Sequence, residues 1–323
     1  MFRRAVLSFL VPCLIAAADS THAQTFPSRP VKIVLPQPAG AGPDAMARAL
    51  ADTLSRNLGQ PVVVENRPGA NGALAASYVI GQPADGHTLF LAGVSTMAWN
   101  PYLYKQLNYN ATRDLVGVAL LANTRFITVA APSLGVTTLP ALIAKAKAAP
   151  GRIDFASVGV GNSSHLATEL LMQRTGIRMQ HVPFGGATGA TFYTSLMSGD
   201  TPVMTSVPSD LIPLAKAGKV VALAVTGDTR MPQLPEVPTF KELGIDMDVP
   251  GWYALVARAG TSPAHIERLH AAVEKALDAP NMRELLAVQV LEPIKAPASE
   301  VERLTRRDSE TWGPFISGLN IAK

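Results

Sequence analysis

VKIVLPQPAGAGPDAMARALADTLSRNLG, residues 31–59, carries the architecture of this chain in miniature. Val31–Leu35 is a β-branched apolar run that predicts a buried strand. Met46, Leu50, Leu54 and Leu58 recur every four residues and mark one face of a helix from Pro43 to Leu58, which Gly59 closes. Between strand and helix lies a loop of proline and small residues, Pro36 to Asp44, feeding a helix N-terminus. Strand, loop and helix in that order form the repeating unit of an α/β sheet.

The unit recurs along the chain. Further strands are predicted at Val62–Glu65 and Thr88–Ala92, with a helix around Ala73–Ile80 between them. A second series begins after Thr124, with strands at Phe126–Ala130, Ile153–Ser157, Met179–Val182, Val203–Ser206 and Val220–Val225. Its helices are Leu139–Ala148, Ser163–Thr175, Ala187–Met197 and Ser209–Ala217. Pro232, Pro235, Pro238 and Pro250 then exclude regular structure. A strand at Tyr253–Ala257 follows, then a helix opened by Ser262-Pro263 and a last one for which Ser299 and Glu302 have capping-box spacing. The expected fold is α/β with two lobes, each a mainly parallel sheet flanked by helices. Residues 25–123 and 227–323 form the first lobe, and residues 124–226 the second.

Composition narrows the function. The 323 residues are 48% hydrophobic and 16% charged, so the chain can bury a large core. Its net charge is +4, with no basic patch, and this excludes a nucleic-acid binder. Residues 1–24 read as a signal peptide: Arg3 and Arg4, an apolar run from Ala5 to Ala18, and cleavage near Ala23 in Thr21-His22-Ala23. That run is shorter than the roughly 20 residues a membrane span needs. The single cysteine, Cys13, lies inside it, so the mature chain has no disulfide, thiolate or cysteine–metal chemistry.

Ligands of open α/β sheets sit outside the carboxyl ends of the strands. Four loops there open helices: Pro36–Asp44, Gly93–Asn100, Ser157–His165 and Val182–Gly186. Helix N-termini aim free N–H groups and positive dipole ends at one point, which suits an anion. The ligand-binding candidates are Gln37, Ala39, Gly40, Ala41, Gly42, Asp44, Ser95, Thr96, Asn100, Gly161, Asn162, Ser163, Ser164, His165, Phe184 and Gly186. Asp44, at the start of a helix, is read as a support of its loop. Residues 40–45 fit a dinucleotide fingerprint with Glu65 at the end of the next strand, but Pro36 and Pro38 interrupt it, and no cofactor is expected. His87, His165, His181, His265 and His270 lack zinc-ligand spacing, so no metal is expected. There is no G-x-S-x-G elbow, and no catalytic residue is assigned. A secreted hydrolase of the α/β class is the alternative function.

At these loops the chain resembles the Bug family of periplasmic solute-binding receptors, named for the tripartite tricarboxylate transporters that some of them serve. The similarity runs from about Pro27 to the C-terminus. Its stretches are residues 30–36, 64–69 (VENRPG), 84–89 (ADGHTL), 100–104 (NPYLY), 157–166, 181–184 (HVPF), 223–226 and 234–239. The resemblance implies a two-lobed Venus-flytrap receptor in the periplasm. It would be a monomer that captures a small carboxylate for uptake or sensing without catalysis, working with a tripartite tricarboxylate membrane permease or a sensor protein. Gln37 stands where the family usually has an aromatic and Ala41 where it has glycine. Arg125, in the expected crossover, stands where the family is usually neutral, so it is either a cationic ligand contact or a surface or interlobe ion pair.

Overall fold

The computed structural model describes residues 26–184 and 189–321. The expected leader and Gly186 lie outside the described residues. Two sheets organise the chain. The strands are β1 (Val31–Leu35), β2 (Val62–Asn66), β3 (Thr88–Gly93), β4 (Leu115–Thr124), β5 (Ile127–Ala130) and β6 (Asp154–Ser157). They continue as β7 (Gln180–Pro183), β8 (Val203–Ser206), β9 (Val221–Val225), β10 (Trp252–Arg258) and β11 (Leu291–Pro293). One sheet has the order β11-β4-β10-β3-β1-β2 and the other β7-β6-β8-β5-β9.

Both sheets are mixed rather than purely parallel. β1 pairs in parallel with β2 and β3, and β6 with β7 and β8. β10 runs antiparallel to β3 and β4, and β5 antiparallel to β8 and β9. The strands that carry the chain between lobes, β4, β5, β9 and β10, all take part in antiparallel pairs, as β11 does with β4. A strand entering from the other lobe needs no helical crossover within its sheet, so parallel pairing is not imposed on it.

Each sheet is buried on both faces. In β1, Val31, Ile33 and Leu35 pack with the Gly42–Leu58 and Pro263–Leu277 helices, while Val34 faces the Ala73–Ile80 and Glu300–Gly318 side. In the second sheet Phe155 joins the Leu139–Ala148 and Ser163–Thr175 layer, and Ile127, Val129 and Met204 join the layer holding Phe192 and Leu211. The expected caps appear at Ser262, which accepts from a first-turn N–H, and at Gly59 in the left-handed conformation, while Asn162 caps the Ser163–Thr175 helix. Ser299 makes no capping-box bond, because its own backbone is already helical (φ −62°, ψ −20°) and Glu302 pairs with Arg306 instead.

The proline-rich return stays with the second lobe further than its composition indicated. Met231, Leu234 and Val237 pack into that lobe's core, and Thr239 bridges to Val225 as a parallel extension of β9. Val225 N donates to Pro238 O and Phe240 N to Val225 O, so the chain re-enters the first lobe near Pro250 rather than at Gly227. The two crossovers touch: Thr124 N donates to Gly251 O at 2.6 Å, and Phe126 N donates to Thr226 Oγ1 at 2.8 Å.

Candidate functional site

The parallel strands β1, β2 and β3 end at one edge of the first lobe, and β6, β7 and β8 end at one edge of the second. Loops from these edges meet. Asn71 Nδ2 donates to Gly161 O at 3.3 Å. A Cβ on Gly161 would lie 2.4 Å from Leu103 Cδ1, and one on Gly42 would lie 3.7 Å from Ser209 Oγ. The candidate site is the cleft between these loops.

The β1 loop is braced from beneath. Asp44 is 3% exposed, and its carboxylate accepts from Gly40 N (2.9 Å), Arg48 Nε (2.9 Å), Arg48 Nη2 (3.0 Å) and Asn66 Nδ2 (2.9 Å). Burial pushes this carboxyl up, but the bonds from Arg48, Gly40 and Asn66 outweigh burial and hold it below its ordinary value. Asn66 Nδ2 also donates to Gln37 O at 3.0 Å, and Gln289 Nε2 to Gly42 O at 3.0 Å. These bonds fix the backbone of the Gln37–Gly42 run. Gln37 Oε1 is enclosed without a hydrogen-bond partner, Ala39 and Gly40 are exposed, and Ala41 and Gly42 are half-buried.

After β3 the chain makes a π-helical turn, Ser95–Trp99, which leads into Asn100–Leu103. Thr96 and Asn100 are buried and work within this lobe instead of presenting free donors. Asn100 Nδ2 donates to Asn71 O (3.1 Å) and Tyr109 OH (2.9 Å), Tyr109 OH donates to Thr96 O (2.7 Å), and Thr96 Oγ1 donates to Asn71 O (3.4 Å). Ser95 is half-buried.

In the second lobe Asn162 caps the Ser163–Thr175 helix by accepting from Ser164 N at 3.1 Å. Ser164 Oγ accepts from Val158 N at 3.0 Å, and Ser163 stays half-exposed beside Asn162. Gly161 N donates to His165 Nδ1 at 3.0 Å, which places the His165 proton on Nε2, 3.3 Å from Glu169 Oε1. His165 stacks on His181 with ring centroids 3.8 Å apart, and His181 Nε2 lies 2.6 Å from Ser157 Oγ. Ser157 and His181 thus form a serine–histidine pair that neither residue's sequence position signalled. The serine is fully buried and also bonded to Gly159, so no substrate can reach its oxygen. Phe184 N donates to Ser157 O at 2.9 Å, tying the next loop to this one.

Burial, and then the neighbouring His165, push the His181 imidazole down to about 3. The folded protein keeps His181 neutral, while the unfolded chain takes up a proton below the ordinary value of 6.5. Stability should therefore fall as pH drops from 6.5 toward 3. Between pH 7 and 5 the loss should be about 1 kcal/mol after discounting for solvent at this partly exposed ring. Urea titrations of His181→Gln should show that acid loss reduced. An equal loss in parent and variant would assign it elsewhere.

Arg125 is not free for a ligand. Its Nη1 donates to Thr229 O (2.7 Å), its Nη2 to Thr229 Oγ1 (3.1 Å), and its Nε lies 3.4 Å from Glu292 Oε1. It is a strap across the crossover. Two residues at the cleft, Asn71 and Ser209, are not among the candidates from the sequence. Ser209 had a legible signal, since it begins the expected helix after β8 and lies in the first turn of the observed one, Pro208–Lys216. Among the described residues no group of three or more His, Cys, Asp and Glu can hold a metal. Depressions of about 480 and 500 Å³ lie at the far end of the second lobe, and no site loop lines them.

Two three-layer α/β lobes, joined by touching crossovers and closed over helix N-termini, define a two-lobed solute-binding receptor. The chain belongs to the Tripartite tricarboxylate transporter family receptor family, whose model matches residues 46–321. It is 34% identical to Protein BugT of Bordetella pertussis over 95% of this chain and 94% of that one. It superposes on MatC from Rhodopseudomonas palustris with bound malate with a TM-score of 0.82 at 28% identity, covering 90% of this chain and all of the other. A second R. palustris protein, solved with adipate, gives a TM-score of 0.83 at 29% identity over 91% of this chain and 98% of that one. These relatives are ligand-binding receptors rather than enzymes, which sets the hydrolase alternative aside.

Proposed function

We propose that this receptor is exported by a leader ending near Ala23 and captures a small carboxylate outside the cytoplasm. The ligand passes unchanged to a tripartite tricarboxylate permease or a sensor protein. The two lobes hinge where the crossovers touch, at Thr124–Phe126 and near Gly251, and the receptor works as a monomer. One observation supports this reading: helix-opening loops of the two lobes meet, with Asn71 Nδ2 donating to Gly161 O across them at 3.3 Å. The loops Pro36–Asp44, Gly93–Asn100, Ser157–His165 and Val182–Gly186 hold no lysine or arginine. The malate and adipate held by two relatives are small carboxylates, and they support the same ligand class.

Neutral donors suffice energetically. Each hydrogen bond nets about 0.5–1.5 kcal/mol, so several bonds with bridging waters reach the roughly −8 kcal/mol of micromolar binding. Native mass spectrometry of freshly purified protein should show a small acid bound one to one and released intact on denaturation. Release of a cleaved product would overturn the reading. In calorimetry with that acid, affinity should change little from low to high salt, and Arg125→Gln should alter it less than tenfold. A hundredfold loss with the fold intact would reveal a charge clamp instead.

A further inference from the structure

We propose that Asn71 is a positioning residue that latches the two halves of the site together. The proposal rests on the two-lobed receptor reading of the same cleft. Its first support is backbone geometry. Gly69, Ala70, Asn71 and Gly72 all have positive φ, at 131°, 46°, 50° and 87°. Side-chain-bearing residues seldom occupy that region, and asparagine is among those that tolerate it. Such outliers persist where the surroundings over-determine them. Here the Asn71 carbonyl accepts from both Asn100 and Thr96, and a Cβ on Gly72 would lie 2.5 Å from Thr96 Oγ1.

The strained turn aims one amide across the cleft. Asn71 Nδ2 donates to Asn100 Oδ1 at 2.8 Å within its own lobe and to Gly161 O at 3.3 Å in the other. Gly161 is itself held through its N–H by His165, and it precedes the Asn162 cap. A single side chain therefore ties the buried Thr96–Asn100–Tyr109 network to the loop that opens the Ser163–Thr175 helix. Its loss should leave each lobe folded and shift the pair toward an open arrangement.

The closed and open arrangements can be read without any ligand, once any copurified acid has been removed by unfolding and refolding. Leu74 and Val158 are exposed, at 57% and 41%, and lie three residues from Asn71 and Gly161 respectively. In a Cys13→Ser background, Leu74→Cys and Val158→Cys give two spin-label sites on opposite lobes for pulsed electron-resonance distance measurement. The parent should show a short-distance population. Asn71→Gly keeps the left-handed turn and removes the amide. Asn71→Asp keeps the side-chain shape and removes the donor. Each should reduce the short population at least threefold, with melting temperatures within a few degrees of the parent. A merely structural asparagine would lower the melting temperature and leave the distance distribution alone, which would overturn the latch. Absence of the short population from the parent would overturn it too. Because no carboxylate is added, either failure leaves the ligand-class reading to be judged separately by mass spectrometry.

Discussion

Gly161→Val should weaken ligand binding at least tenfold while lowering the melting temperature by only a few degrees. Gly161 sits at φ +76° with its Cα turned toward Leu103, and an added Cβ would lie 2.4 Å from Cδ1, 2.7 Å from Cδ2 and 3.1 Å from Cγ. Leu103 is 2% exposed and belongs to the first lobe's core, so it has no open space to swing into. Overpacking of this kind costs about 1–3 kcal/mol, and opening the hinge relieves it. The penalty therefore falls on the closed state, where about 3 kcal/mol is more than a hundredfold in affinity. The left-handed backbone adds about 1–2 kcal/mol that persists in both states, and that part should appear in the melting temperature. Solution scattering supplies the check: ligand should shrink the parent's radius of gyration and leave that of Gly161→Val nearly unchanged. Equal closure in the two proteins would show that Leu103 gives way and that this contact does not gate the cleft.

Asp44→Ala should destabilise the first lobe by about 2–3 kcal/mol, the usual cost of removing a buried charged acceptor from its donors. Gly40 N and Asn66 Nδ2 would lose a partner each, and the Gln37–Gly42 run would lose the brace that sets its backbone. Asp44→Asn should keep part of that brace and cost less. The sign of the pH dependence follows from the depressed carboxyl: its contribution is present above the ordinary value of 3.8 and is lost as pH falls through the lower folded value. Parent and Asp44→Asn should therefore converge in stability once the pH falls below the carboxyl's lowered folded value, as denaturant titrations would show. A Asp44→Asn variant with an unchanged melting temperature and no binding of a ligand lacking a cationic group would make Asp44 a ligand contact rather than a support.

Asp44 also shows how far residue order reaches. Its role follows from local rules, because a carboxylate two positions into a helix meets free N–H groups and a favourable dipole. Its bonds to Gly40 and Arg48 span four residues each. Asn66 was out of reach, since that bond spans 22 residues and depends on β1 and β2 lying side by side. Thr96 and Asn100 mark the opposite case. Their loop was identified, yet their side chains turn inward to hold Asn71, because buried polar groups must be satisfied before any ligand arrives.

Periodicity along the chain was enough for the repeating strand–loop–helix unit, and β1, the Ala73–Ile80 helix and the Ser163–Thr175 helix occupy the predicted residues. Those elements announce themselves because a local pattern of apolar spacing and caps matches the geometry of each. β4 did not: Leu115–Thr124 is buried along most of its length, so its apolar run has no alternation to read. β11, three residues long, has too little length for any pattern. Tertiary structure alone settled the mixed pairing, the late return of the chain near Pro250 and the meeting of Asn71 with Gly161, 90 residues apart. Arg125 was assigned the same way, its partner Thr229 lying 104 residues on. Short-range preferences shape elements, but a cleft is made by contacts between loops whose separation along the chain carries no local signal, and only packing brings them together.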